Sequence, residues 1–287
     1  MYRGEVPRTA FVDWFDAIEV ELVNGPGPGI RRAMAEMQQA SFSPSLSRAR
    51  HRAHDALEAG TYASQPLSLN MEIPHFTFLI SGVSRAMTHQ IVRTRVGVTY
   101  AQKCTGDGDV RHDDVLVPRS LNRKGQEHVL AGYIAMNLAF KQWYAAAVDE
   151  GDQSIHVLRY AMPHGLSQYI YQSISLLALV QLYGKRTCPE QPPEWQVICE
   201  GYRRALDAHY PWAARMLKKN CPHCYLGRAG NNDPMIGRLY FPDVDHDREP
   251  WHPGSFVHQG TAEDVMGGPP FETVRYYGSE IVETVHG

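Results

Sequence analysis

Arginine, histidine and glutamine side chains are concentrated in one short stretch, SRAMTHQIVRTR at residues 84–95. Ser84 is a favourable N-cap, and the apolar residues that follow predict a helix running to about Val96. Three side chains of this helix are spaced i, i+4 and i+8 and share one face, with a glutamine beside them: Arg85, His89, Arg93 and Gln90. A polar stripe of this kind is ordinarily solvated, but near apolar surface its guanidinium groups need carboxylate or phosphate partners.

Two further arginines occur in apolar contexts. Arg159 lies within IHVLRYAMP, and Arg186 ends the segment LSQYIYQSISLLALVQLYGKR, which is apolar almost all round and predicts a buried helix over residues 166–186. A planar guanidinium can pair with two oxygens of a phosphate or with the carbonyl edge of a base. Several arginines from separate segments therefore predict a local binding site for an anionic ligand.

The composition limits the class of protein. The chain has 287 residues, 43% hydrophobic content, and 28 Lys plus Arg against 31 Asp plus Glu. This length supports a substantial core, and a net charge of −3 excludes the character of a nucleic-acid coat. Acids interrupt the apolar N-terminal stretch, which argues against a signal peptide or membrane span and favours the cytoplasm. Five cysteines, an odd number, favour reduced thiols.

The remaining segments predict an α+β fold. A half-buried strand, AIEVELV, precedes the loop NGPGPG, and an extended segment, LSLNMEIPHFTFLISG, precedes the arginine-rich helix. Further helices are predicted at residues 30–42, 46–60, 125–151 and 194–219. We therefore expect a mostly helical single domain over residues 1–224 around a modest β-sheet. Residues 225–287, rich in Pro, Gly, Asp and His, predict an irregular C-terminal extension.

The run FTFLISGVSRAMTHQIVRTR at residues 76–95 resembles the flavin-dependent thymidylate synthases. Members of that family carry FTF, then GVSRA, then a glutamine three residues before an Arg-His-Arg triplet. Other similar segments follow the family order: ASF at 40–42, Glu72 before FTF, LRYAMP at 158–163, GKR at 184–186 and EWQVI at 194–198. The resemblance covers roughly residues 17–215.

The resemblance implies an α+β homotetramer with FAD at the subunit interfaces. It implies that NADPH reduces the flavin and that methylenetetrahydrofolate donates a methylene to C5 of dUMP, without an enzyme nucleophile. The substrate-binding residues that it implies are Gln90, Arg93, Gln102, Lys103, Cys104, Thr105, Arg159 and Arg186. Arg186 is also the implied catalytic residue, because its charge would polarise the uracil. The implied flavin-binding residues are Ser41, Glu72, Arg93, Thr94, Arg95, Ser175 and Gln181.

The nucleotide-binding loop departs from the family pattern. Thr94 replaces the histidine of the triplet, and TGDGDVR stands where the family has its phosphate-binding Arg-Tyr. Lys103 is our first candidate for the missing phosphate ligand, and Arg111 is the second. A rebuilt loop around an intact scaffold resembles paralogues of nucleoside-antibiotic pathways that methylate UMP, so we place UMP ahead of dUMP. A uridine nucleotide, rather than a nucleic-acid polymer or a membrane, is the expected partner.

Two other classes of function stay open. A paralogue that binds flavin or nucleotide without turnover would explain the altered loop equally well. A zinc module is suggested by Cys221, His223 and Cys224 in NCPHC, although one CxxC supplies too few ligands for a structural zinc, and no metal ligand is assigned.

Overall fold

A computed structural model describes residues 8–59, 68–105, 108–122, 124–150, 155–187, 191–218, 272–277 and 280–285. The helices are α1 Trp14–Ala17, α2 Ile30–Ala40, α3 Leu46–Glu58, α4 Arg85–Ile91, α5 Glu127–Glu150, α6 Ile155–Leu158, α7 Leu176–Arg186, α8 Pro193–His209 and α9 Pro211–Ala214. The strands are β1 Arg8–Asp13, β2 Glu19–Asn24, β3 His75–Ser84, β4 Val98–Gln102, β5 Val115–Val117, β6 Ser167–Ser175, β7 Thr273–Tyr277 and β8 Glu280–Val285. Among these helices, none is long and apolar enough to cross a bilayer.

The strands form two four-stranded sheets rather than one modest sheet. The first has the order β2-β3-β6-β4 and is antiparallel throughout. The second has the order β5-β1-β7-β8, with β1 and β5 parallel and the other pairs antiparallel. With helices packed on both sheets, the predicted α+β class is confirmed.

Each sheet has its own hydrophobic core. The first sheet buries Phe76, Phe78 and Ile80 of β3 against a helical layer that includes Trp195 and Tyr202 of α8. The second sheet packs against α5, and its core includes Phe11, Val115, Val117, Phe140 and Tyr144. The first sheet and its helices carry the arginine-rich segment, so this layer positions the candidate site.

Gly82 allows β3 to continue into α4. Its φ is +64°, and a Cβ atom there would lie 1.8 Å from the carbonyl oxygen of Ala17, so only glycine fits. The register between β3 and β6 shifts between Ile80 and Val83, and the strand continues to Ser84, two residues beyond the predicted end. Ser84 then caps α4 by accepting a hydrogen bond from the Met87 amide.

The prediction of one buried helix over residues 166–186 is wrong in its first half, which forms strand β6. The buried face of β6 carries glutamines as well as isoleucines, and this hides the two-residue period: Gln168, Ile170, Gln172 and Ile174. Tyr202 donates a hydrogen bond to the Gln172 side chain, which satisfies this buried amide. Tyr169 and Tyr171 are exposed on the opposite face, although the sequence favoured core positions for them.

Two predicted helices also end earlier than expected. Helix α4 ends at Ile91 instead of near Val96, because β-branched residues follow and the Tyr100 hydroxyl donates to the Ile91 carbonyl. Arg93 therefore lies just outside the helix. The helix predicted over 194–219 divides at Tyr210, where Pro211 interrupts it and begins α9.

The sequence predicted an irregular C-terminal extension, but the end of this stretch forms regular strands. Strands β7 and β8 form an antiparallel hairpin, and β7 pairs with β1 from Arg8↔Tyr277 to Phe11↔Val274. The proposed boundary at residues 224/225 and the NCPHC motif lie outside the described residues, as does the end of the helix predicted at Gly151.

Candidate active site

A cavity of about 420 Å³ opens between α4, the segment after β4, and the turn that precedes β6. The residues with basic or imidazole groups that line it are Arg85, His89, Lys103, Arg159 and His164. Further polar lining comes from Thr88, Gln102, Cys104, Thr105 and Gln168. The cavity thus contains many hydrogen-bond donors and no lining carboxylate among the described residues.

The cations of this cavity differ in their partners. Lys103 pairs with Asp113 at 2.5 Å, so its ammonium group is already neutralised. No carboxylate in the described part of the chain pairs with Arg85 or Arg159. The guanidinium of Arg159 lies 5.9 Å from the ring centroid of Tyr160, which is itself exposed. Two guanidinium groups that lack a carboxylate partner within the described ranges are therefore available to an anion.

The positively charged groups around the cavity affect the pKa of His89. Its pKa is lowered first by burial and then by the charges of Arg85, His164 and Arg93. The imidazole rings of His89 and His164 are 6.1 Å apart between centroids. An anion bound beside them would oppose the shift, because negative charge favours the imidazolium form.

A second cluster adjoins the cavity and contains the predicted catalytic arginine. The Arg186 guanidinium lies 4.8 Å from the Trp195 ring centroid and donates a hydrogen bond to the Gln191 side chain. The Trp195 indole N–H donates to Gln90 at 3.2 Å. Burial, and then Arg93, lowers the pKa of Arg186. The charge of Arg93 lowers the pKa of both His89 and Arg186.

The comparisons with known proteins identify the family. Residues 32–212, more than half of the chain, match the model described as thymidylate synthase complementing protein. The chain belongs to this family. The resemblance drawn from residues 76–95 is thereby confirmed.

Curated proteins that are similar in sequence to this chain are flavin-dependent thymidylate synthases. The one from Sulfolobus acidocaldarius is 26% identical over 153 residues, which is 53% of this chain and 55% of the relative. The one from Nitratidesulfovibrio vulgaris is 27% identical over 131 residues, 42% of this chain and 51% of the relative. The chain thus spans about half the length of the curated relatives it matches.

A solved structure shows a similar fold. It is described as the UMP/dUMP methylase PolB from Streptomyces cacaoi bound with 5-Br dUMP. Its TM-score is 0.56 at 15% identity, over 69% of this chain and 93% of that chain.

The structure brings some of the predicted substrate residues together and separates others. Those that line the cavity are Gln102, Lys103, Cys104, Thr105 and Arg159. Gln90 and Arg186 belong to the Trp195 cluster, and Arg93 is exposed and does not line the cavity. Arg111 is fully buried and pairs with Asp109 and Asp149.

The predicted flavin residues lie mostly at the surface. Side chains that are exposed to solvent are those of Ser41, Glu72, Arg93, Arg95 and Gln181. Thr94 is half-buried, and its carbonyl accepts a hydrogen bond from Tyr100. Ser175 is buried at the N-terminus of α7, where its hydroxyl accepts from the Ala178 amide. Its side chain therefore has a structural role within this chain.

Several contributors to the site were missed by sequence reasoning, among them Gln168, which lines the cavity from β6. Tyr160 and His164 line the cavity, and Trp195 supports Arg186 and Gln90. Trp195 stands in the EWQVI segment quoted for the resemblance, so that segment carried the only available signal. No pattern in the neighbouring sequence distinguishes His164 from other histidines, because His164 reaches the cavity only through the folding of the turn that faces α4.

Proposed function

We propose that this protein is a flavin-dependent enzyme that methylates C5 of a uridine 5′-monophosphate, with UMP ahead of dUMP. The methylene donor is methylenetetrahydrofolate, the reductant is NADPH, and the role is one in nucleoside-antibiotic biosynthesis. The observation that carries the proposal is the cavity in which Arg85 and Arg159, without carboxylate partners among the described residues, face Gln102 and Gln168.

The cavity suits the phosphate and sugar of a nucleotide. Arg85 and Arg159 supply charge-assisted hydrogen bonds to the phosphate, and Lys103 contributes in spite of its pairing with Asp113. Gln102 ends β4 and Thr105 begins the rebuilt loop, and both residues line the cavity and can hydrogen-bond a ribose 2′-hydroxyl. This chemistry supports the preference for UMP.

The uracil ring extends past His89 towards Arg93 and Arg186. Arg186 is held in place by Trp195 and Gln191, so its charge is preorganised rather than mobile. A fixed guanidinium beside a carbonyl oxygen stabilises negative charge that develops on the pyrimidine as C5 becomes nucleophilic. PolB, whose fold is similar, is described as a UMP/dUMP methylase, which agrees with a uridine nucleotide here.

The donor set at the end of α4 fits FAD. Arg93 and Arg95 are exposed, and within the described ranges neither has a carboxylate partner, so both can pair with a pyrophosphate or a flavin carbonyl. FAD, when bound, supplies the redox chemistry that converts a methylene into a methyl group. The exposed positions of Ser41, Glu72 and Gln181 suit a homotetramer in which flavin lies between copies.

The test is an assay of the purified protein with FAD, NADPH, methylenetetrahydrofolate and either UMP or dUMP. We expect a product heavier by one methyl group by mass spectrometry, with a higher kcat/KM for UMP. Absence of methylated product from both nucleotides would refute the proposal. Bound FAD without NADPH oxidation would instead favour the non-catalytic paralogue, for which the neutralised Lys103 is the supporting observation.

A further inference from the structure

A second cavity, of about 340 Å³, adjoins the first through His164, which among the described residues is the one that lines both. Its walls are mainly apolar and include Trp14, Leu116, Pro118 and Pro193. Trp14 and Leu116 are buried, so these walls are fixed by the core. A concave apolar site of this size is typical of small-molecule pockets.

Among the described residues, one carboxylate lines this apolar cavity, that of Glu194. Glu194 Oε1 accepts a hydrogen bond from the Ser84 amide at 3.1 Å, and Oε2 accepts one from the Ser84 hydroxyl at 2.9 Å. Each carboxylate oxygen has two acceptor sites, so both oxygens can accept a further donor. Glu194 is partly buried, and this burial raises the pKa of its carboxyl group.

Two hydroxyl groups of the lining, those of Ser84 and Tyr133, are already engaged. The Ser84 hydroxyl donates to Glu194 and accepts from the Met87 amide, and the Tyr133 hydroxyl donates to the Leu116 carbonyl at 2.7 Å. The remaining polar side chains, Ser120 and His164, are exposed to solvent. The Glu194 carboxylate therefore gives this cavity negative charge and free acceptor positions, in contrast to the basic cavity beside it.

We propose that this second cavity binds a small planar cation or amino-heterocycle whose N–H groups pair with Glu194. The ring lies against the apolar walls, and the N–H groups compensate the partly buried carboxylate. This site takes a ligand of opposite charge to a nucleotide, so it does not depend on the proposed methylation.

The test uses 4-bromobenzamidine as a planar cationic probe, with the neutral 4-bromobenzyl alcohol as its matched control. Calorimetry on the full chain is expected to show one amidine site, with the alcohol at least tenfold weaker. Glu194→Gln is expected to weaken the amidine at least tenfold and to leave the alcohol unchanged. A soaked crystal is expected to show anomalous bromine density beside Glu194.

Ala86→Leu provides a second variant, because Ala86 lines the cavity and a larger side chain would fill it without removing the carboxylate. This variant is expected to weaken amidine binding at least tenfold. If Glu194→Gln does not fold, the amidine affinity of Ala86→Leu tests the proposal in its place. The proposal is overturned if no saturable amidine binding occurs, if the bromine lies elsewhere, or if a folded variant binds as tightly as the parent protein.

Discussion

Arginine side chains in this fold occupy two kinds of environment. Arg111 and Arg119 are held by aspartates, at 2.7 Å from Asp109 and Asp13 respectively. Arg85 and Arg159 line a cavity without such partners among the described residues. Paired arginines support the fold, whereas arginines without a counterion are available to a ligand.

Replacement of Arg159 by glutamine should weaken UMP binding at least tenfold. A hydrogen bond to a charged group contributes about 1.5–3 kcal/mol, and Arg159 is exposed, so stability should not change. Calorimetric titration with UMP measures the effect. Arg48→Gln, at an exposed arginine on α3, is the matched control; equal affinities for the two variants would contradict the prediction.

His89 should titrate at higher pH when a nucleotide is bound. In the free protein its pKa is lowered by burial and by the charge of Arg85, and a bound phosphate opposes the effect of that charge. Binding then takes up a proton, so affinity should fall as the pH rises through the pKa of the complex. NMR titration of His89, with and without UMP, checks the shift. In His89→Gln, the affinity for UMP should no longer show the pH dependence that arises from His89. It should keep the pH dependence that arises from ionisation of the phosphate.

At the scale of elements, α5 supports the loop that follows β4. Lys141 is buried, and its ammonium donates to the carbonyls of Val110, Arg111 and Asp113. Asp113 in turn pairs with Lys103 in the cavity. The helix thus positions a cavity residue through a buried cation.

Lys141 should make stability depend on pH in the alkaline range. Burial lowers its pKa from 10.5 to about 8, so between these values the unfolded state binds more protons. The free energy of unfolding should therefore rise by about 2 kcal/mol from pH 8 to 10. Urea denaturation at several pH values measures this rise. Lys141→Met should abolish it, while Lys124→Met, at an exposed lysine, should retain it.

Gly82→Ala should disrupt the junction of β3 and α4. The positive φ and the contact with the Ala17 carbonyl predict a loss of at least about 2 kcal/mol in unfolding free energy. Gly132→Ala on α5 is the control, because no atom lies within 4 Å of its Cβ position. The control should be stabilised by about 0.5–1 kcal/mol, as expected for a helical glycine. Chemical denaturation distinguishes the two, and similar effects would contradict the argument.

At the scale of the whole molecule, the chain termini complete one sheet. Strand β1 lies between β5 and β7, so residues near both ends of the chain pair directly. The ring of Tyr276 on β7 packs edge-on against Phe11 of β1, with 5.4 Å between centroids. The second core, which includes α5, is therefore closed by the C-terminal hairpin.

Tyr276→Ala should destabilise the protein by about 2 kcal/mol, because it removes a partly buried ring and an aromatic pair. Thermal and urea denaturation measure the loss. Tyr160→Ala, at a side chain that is 85% exposed, should leave stability unchanged. A Tyr276 variant as stable as this control would show that the hairpin does not close the core.

Local patterns in the sequence determined the family, the α+β class and many element positions. The FTF and GVSRA motifs, the Ser84 cap and the periodic helix α5 depend on neighbouring residues, so they can be recognised without the fold. Tertiary structure decided what depends on distant partners. Strand β6 forms because β3 and β4 pair with both of its edges, and this outweighs the helical appearance of its sequence. The contacts of Arg186 with Trp195 and of Lys103 with Asp113 likewise depend on packing that brings separate segments together, and no local spacing encodes such contacts.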